Sequence, residues 1–148
     1  MVSTTYMRDG RAPIPDNERV SRTMSAIRAK NTKPELLVRK MLLSVGLKKY
    51  LLQPEGVPGR PDVTFPKKKV AIFIHGCFWH GCQYCKPRLP KTHRAFWRKK
   101  IFTNKLRDAR KNQELKKSGW DPITIWACRL KTEKGQGLVL QRICTALE

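Results

Sequence analysis

The run Val70-Ala71-Ile72-Phe73-Ile74 leads directly into His75-Gly76-Cys77-Phe78-Trp79-His80-Gly81-Cys82-Gln83-Tyr84-Cys85. Five apolar residues rich in β-branched side chains, without a polar break, suit a strand buried on both faces. A strand of that kind is the centre of a layered α/β domain, with strands at its edges and helices over its faces. Its C-terminal end then delivers two histidines and three cysteines within eleven residues, so the strand also determines where any chemistry sits.

The remaining chain supplies the other layers. Residues 1–19 are polar, with Gly10, Pro13 and Pro15, and read as a flexible arm before a single domain over 20–148. A short helix is expected over Ser21 to Ala29. Thr32-Lys33-Pro34-Glu35 has the form of a capping box, followed at helical spacing by Leu36, Leu37, Met41, Leu42 and Val45, with Gly46 as a stop. Lys48 to Gln53 and Asp62 to Phe65 read as strands, the second after the turn Pro58-Gly59-Arg60-Pro61, and Lys67-Lys68-Lys69 as a tight turn. Thr92 to about Lys117 reads as a long basic helix with Phe102, Leu106 and Ala109 on one stripe. Pro122 to Ala127 is a further strand, and Gly137 to Leu147 a last helix. The order gives an α/β domain with a mixed central sheet flanked by helices.

Charge narrows the partners. Thirty-two Lys and Arg against eleven Asp and Glu leave +21 on 148 residues, which favours phosphate contacts with counterion release over mere solubility. Residues 86–118 alone hold thirteen Lys or Arg and two acids, Asp108 and Glu114, a net of +11. Phe96, Trp97 and Phe102 interleave that segment with rings able to stack on bases. No apolar run is long enough to span a bilayer, and the N-terminus has no secretory pattern, so a cytoplasmic protein is expected.

Five cysteines without an oxidising compartment favour metal over disulfides. Cys77, Cys82 and Cys85 form Cys-x4-Cys-x2-Cys, and Cys128 follows at the end of a strand. Such a thiolate set suits a closed, structural Zn²⁺ site, with His75 or His80 as alternatives to one sulfur; reduced core thiols are the other reading. Cys144 occupies an apolar helical position and is read as a core thiol.

Asp62 is the candidate acid. A rigid turn precedes it, it starts a strand, and the neighbouring strand ends in His75. Glu35, Asp108 and His80 could join it. Carboxylates hold Mg²⁺ through oxygen, and a neutral histidine can deprotonate water. Each acid taken singly is also an ordinary surface charge or, for Glu35, the acid of its capping box.

The stretches Pro58-Gly59-Arg60-Pro61-Asp62 and Phe73-Ile74-His75-Gly76-Cys77-Phe78-Trp79-His80 resemble the very short patch repair endonucleases. So do Phe96-Trp97, Asn104 with Asp108, Gly119-Trp120 and Ile125-Trp126-Ala127-Cys128. The resemblance covers roughly residues 20–130. It implies a restriction-endonuclease-like fold in which the second strand of the site carries Phe73-Ile74-His75 in place of an acid and a lysine. It further implies Asp62 and the main chain of Ile74 at the Mg²⁺, His80 as general base, Glu35 and Asp108 completing the site, and His75 close to the scissile phosphate. The family's substrate is double-stranded DNA with a T·G mismatch left by 5-methylcytosine deamination, nicked 5′ of the thymine. Phe78, Trp79 and Trp97 match its inserted rings and Met24 an apolar wedge, with core packing as the alternative for the rings. Arg60, Arg94, Arg98, Lys99 and Asn104 are further candidate DNA contacts. A monomeric bacterial enzyme, with mismatch-repair proteins as possible partners, completes the expectation. Cys82 stands where the family can use histidine, which leaves four thiolates for zinc. A non-cutting basic zinc module and a restriction enzyme acting on matched DNA are the competing readings.

Overall fold

The computed structural model describes residues 31–148; the expected arm, the helix over 21–29 and Met24 lie outside the described residues. The first helix, α1 (Lys33–Ser44), starts where the Thr32 hydroxyl accepts the Glu35 N–H at 3.5 Å, with Pro34 in its first turn. The capping box is only half formed. The Glu35 carboxylate accepts the N–H of Asn31 at 3.0 Å rather than that of Thr32, which leaves this acid at the edge of a cleft described below.

Strand β1 (Leu51–Leu52) is shorter than the expected 48–53, because only Leu51 and Leu52 find partners, Thr64 and Val63 of β2 (Val63–Phe65). A 3-10 turn at Pro66–Lys68, closed by Lys69 in the left-handed conformation, reverses the chain into β3 (Val70–His75). One helical turn, α2 (Cys77–His80), follows it. The long helix α3 (Arg94–Lys117) then crosses back to β4 (Asp121–Trp126). After a 3-10 segment at Ala127–Lys131, the last helix α4 (Glu133–Leu147) begins at Glu133 rather than Gly137. The Thr132 hydroxyl caps it by accepting the Gly135 N–H at 3.0 Å, and a cap plus an acid in the first turn outweighs the helix-weakening glycines.

The sheet has the order β1-β2-β3-β4, antiparallel twice and then parallel. It is mixed and flanked by helices, with β3 central as its apolar run requires. Alternation along β3 sorts the two faces. Val70, Ile72 and Ile74 join Ile123 and Ile125 of β4, Val38, Met41 and Leu42 of α1 and Ile143 of α4 in one buried core. Ala71, Phe73 and His75 point to the other face.

Helix α3 does not pack on the expected stripe. Phe102 and Leu106 are 60% and 57% exposed. Its inward face is instead Trp97, Ile101, Asn104, Asp108, Lys111 and Leu115, all buried or half-buried. The spacing along that face alternates four and three residues, as a packed helix face should. Half of these side chains are polar because they border the cleft.

Candidate active site

The parallel pairing of β3 and β4 sets the centre of the site. His75 lies opposite Trp126, so two residues further on each strand Cys77 meets Cys128, whose N–H donates to Cys77 Sγ at 3.4 Å. Cys82 and Cys85 close the group: the four Sγ atoms all lie within 4.8 Å of one another. Cys82 Sγ and Cys128 Sγ are 3.8 Å apart. Tetrahedral coordination with Zn–S bonds of about 2.3 Å places sulfurs ~3.8 Å apart, whereas a disulfide needs about 2.05 Å. Loss of water raises the thiols of Cys77 and Cys128, and Cys85, although exposed, is raised by partial loss of water together with the neighbouring Cys82 and Cys128 thiols. Burial also pushes on Cys82, but N–H groups of Cys85 and Tyr84 and the neighbouring thiols bring it down to about 7. The donor set therefore fits a soft, four-coordinate cation. Cys144 is outside the group.

Between the first thiols, α2 presents Phe78, Trp79 and His80. Gly81 ends this turn at φ +63, and a side chain there would meet Lys105 and approach Ile101 Cγ2 to 2.8 Å. The loop thus lies directly on α3. Two α3 residues one turn apart grip consecutive residues of α2: Asn104 Nδ2 donates to the Trp79 carbonyl at 2.8 Å, and Asp108 Oδ2 meets His80 Nδ1 at 2.7 Å.

The ring of His80 lies flat on that of His75, with centroids 3.8 Å apart and planes 4° from parallel. His75 is buried, and its pKa falls to about 4 through burial, then the charge of His80, against a smaller opposing pull from Asp108. One nitrogen lone pair from each ring, together with an Asp108 oxygen, lies in a compact group. An ion cannot lie in the planes of two stacked rings at once, so this arrangement suits proton handling better than metal ligation.

Asp62 reaches the same place from β2. Its turn is held against α3 and β3 by Gly59, where φ is +78 and a Cβ would lie 3.1 Å from the Phe73 ring and 3.2 Å from Lys111 Cβ. Asp62 Oδ2 accepts the Ile74 N–H at 2.7 Å. Its pKa rises to about 6, mainly through burial and further through the charge of Glu35, against the Ile74 N–H, His80 and Gln53. A cleft of about 530 Å³ joins Glu35, Asp62, His75, His80 and Asp108, all five expected catalytic residues. Two crowded carboxylates in a partly desolvated cleft, with the main chain of Ile74 beside them, fit a hard divalent cation. The Ile74 N–H is committed to Asp62, so only its carbonyl could serve as a ligand.

The other expected contacts divide. Arg60, Arg94, Arg98 and Lys99 are exposed. Trp97 is 7% exposed and Asn104 8%. Trp97 packs edge-to-face against Phe78 at 5.3 Å and Trp79 at 5.5 Å, and Phe78 and Trp79, both half-buried, pack likewise against each other at 5.3 Å. Of these three rings Phe78 and Trp79 are therefore nearer the surface, with Trp97 supporting both. Arg107, Lys111 and Asn112 also line the cleft, unanticipated from sequence although Arg107 and Lys111 share the helical neighbourhood of Asp108.

The family model for the DNA mismatch endonuclease Vsr matches residues 12–86. The type II nicking enzyme V.XorIIP of Xanthomonas oryzae pv. oryzae is 41% identical over 113 residues, 76% of this chain and 82% of that protein. The DNA mismatch endonuclease Vsr of Escherichia coli is 34% identical over 120 residues, 81% of this chain and 76% of that protein. The chain belongs to the Vsr family. It is a DNA endonuclease. The segment matched by the Vsr family model contains Glu35, Asp62, His75, His80 and three of the four clustered thiols, while Asp108 and Cys128 come from α3 and the end of β4. The non-cutting zinc module is thereby excluded. No helix among the described residues is long and apolar enough to cross a membrane.

Proposed function

We propose that this Vsr-family endonuclease is Mg²⁺-dependent, has a restriction-endonuclease-like fold over residues 20–148, and nicks duplex DNA 5′ of the thymine in a T·G mismatch. The observation that carries this reading is the meeting in one cleft of Asp62, set by the Ile74 N–H, and His80, set by Asp108.

Asp62, with Glu35 beside it and the Ile74 carbonyl as a further oxygen, would hold Mg²⁺, which when bound activates water and offsets charge on the phosphate. The Asp108 carboxylate accepts the proton of His80 Nδ1, which leaves the lone pair on Nε2 free to take a proton from the attacking water. His75, neutral near pH 7 by the depression described above, lies flat against His80 and limits the orientations open to that ring; its place in the cleft suits a neutral hydrogen bond to the scissile phosphate. Cys77, Cys82, Cys85 and Cys128 would hold a structural Zn²⁺ that fixes the loop bearing Phe78, Trp79 and His80 to the end of β4.

Substrate choice follows from the same loop. A mismatched pair costs less to unstack than a matched one, so rings inserted beside it gain selectivity. Of the three rings matched to the family, Phe78 and Trp79 are the ones nearer the surface, with Met24 as the expected partner wedge, while Arg60, Arg94, Arg98 and Lys99 would supply phosphate contacts. The test is cleavage of T·G and matched T·A duplexes, each strand labelled separately, with Mg²⁺ or EDTA. A single nick 5′ of the mismatched thymine, abolished by EDTA, is expected. Cutting of both strands of matched DNA would establish the restriction-enzyme reading instead.

A further inference from the structure

Glu35 is nearly buried, and its hydrogen bonds are unevenly placed. Oε2 accepts the Asn31 N–H at 3.0 Å and meets Arg39 Nη2 at 3.4 Å, and Glu35 lines the cleft. Arg39 sits one helical turn after Glu35 on α1 and is itself anchored, because Nη1 donates to Asn31 Oδ1 at 2.8 Å. The side chains of Arg39 and Glu35 are 17% and 6% exposed, so the pair is screened far less than a surface ion pair. The guanidinium fork bridges the side chain of Asn31 and the carboxylate whose other partner is the main chain of Asn31. Two donors thus hold one oxygen of Glu35, and the second donor is itself held by the Asn31 side chain.

We propose that Arg39 is a positioning residue for divalent-cation binding: it holds Oε2 of Glu35 from behind so that Oε1 faces the cation beside Asp62. The proposal rests on the metal-dependent reading given above. A guanidinium suits the task because its two nitrogens serve two acceptors in a fixed geometry, which a lysine ammonium on a flexible stem cannot reproduce. Arg39 itself is not among the residues that line the cleft, so it acts from behind Glu35 and outside the space a cation would fill. Groups that orient a metal ligand commonly contribute 10–100-fold to affinity.

The test is Mn²⁺ binding to the whole protein without DNA, read from the electron paramagnetic resonance signal of free Mn²⁺, with thermal melting alongside. Arg39→Met, which keeps the aliphatic stem, should weaken Mn²⁺ binding about tenfold, and Arg39→Lys by less. Glu35→Gln should weaken it too, and adding Arg39→Met to that variant should cost nothing further. If Arg39→Met does not fold, Arg39→Lys carries the same comparison. Wild-type Mn²⁺ affinity in a folded Arg39 variant would overturn the proposal, as would an undiminished loss in the Glu35→Gln background. Asp62→Asn separates the two levels. Unchanged Mn²⁺ binding in that variant removes Asp62 from the metal site yet leaves Arg39 judged by its coupling to Glu35, and absence of Mn²⁺ binding by the wild type removes both.

Discussion

The Asp108 carboxylate meets the His80 imidazole at 2.7 Å across twenty-eight residues of sequence, one group from α3 and the other from the single turn of α2. In the proposed mechanism this contact sets which ring nitrogen carries the proton and leaves the other to act in the cleft. His80→Ala should lower single-turnover nicking by roughly 10²–10⁴-fold, the usual contribution of a positioned general base. Asp108→Asn, which no longer enforces the tautomer, should fall between that variant and the wild type. A His80→Ala rate within about threefold of wild type would remove the histidine from proton transfer.

Asp62 also makes a prediction about stability. Its pKa is about 6 in the folded protein against 3.8 ordinarily, so the folded state holds the proton more tightly. The associated stability is complete below about pH 4 and is lost as pH rises through about 6. Without metal at pH 7.5, Asp62→Asn should therefore be more stable than wild type by on the order of 2–3 kcal/mol at most. Urea melts should show that gain shrinking towards pH 4.5 and on adding Mg²⁺. Equal stabilities at pH 7.5 would mean that the carboxylate is not desolvated.

Four thiols within 4.8 Å of one another predict about one zinc per chain in metal analysis of the purified protein. Cys128→Ser should lose zinc and melt at lower temperature, because it frees the α2 loop from β4. Cys144→Ser should keep its zinc. Full zinc retention by Cys128→Ser would remove this residue from the ligand set.

The placement of α3 separates core from surface. Trp97→Ala should cost about 3–5 kcal/mol, as for a buried aromatic, and Phe102→Ala should stay within about 0.5 kcal/mol. Chemical denaturation measures both. The reverse order would put Trp97 on the surface and Phe102 in the core.

Much of this arrangement was legible because strand signals are strong where a strand is buried on both faces. Val70 to Ile74 announced β3, and the spacing of the cysteines announced their cluster. Asp62 stood out through its turn. The inward face of α3 was not legible, since Asn104, Asp108 and Lys111 occupy positions where a core helix carries apolar residues, and exposed Phe102 and Leu106 offered a false stripe. Hydrophobic patterning fails there because that face serves the cleft. Strand β1 was overestimated because its length depends on how many partners β2 offers. Arg39 gives no signal in the sequence, as the role proposed for it depends on its contacts with Asn31, whose φ is +55, and with Glu35.

The measurement that bears most directly on the proposed centre compares Asp62→Asn with wild type on one labelled T·G duplex, reading nicking and DNA affinity together. Asparagine keeps the shape and an acceptor for the Ile74 N–H but removes the charge that holds a hard cation. Nicking should disappear while affinity stays the same or rises slightly, because one like charge facing phosphate has gone. Nicking by Asp62→Asn at close to the wild-type rate would contradict the account and place the catalytic metal elsewhere.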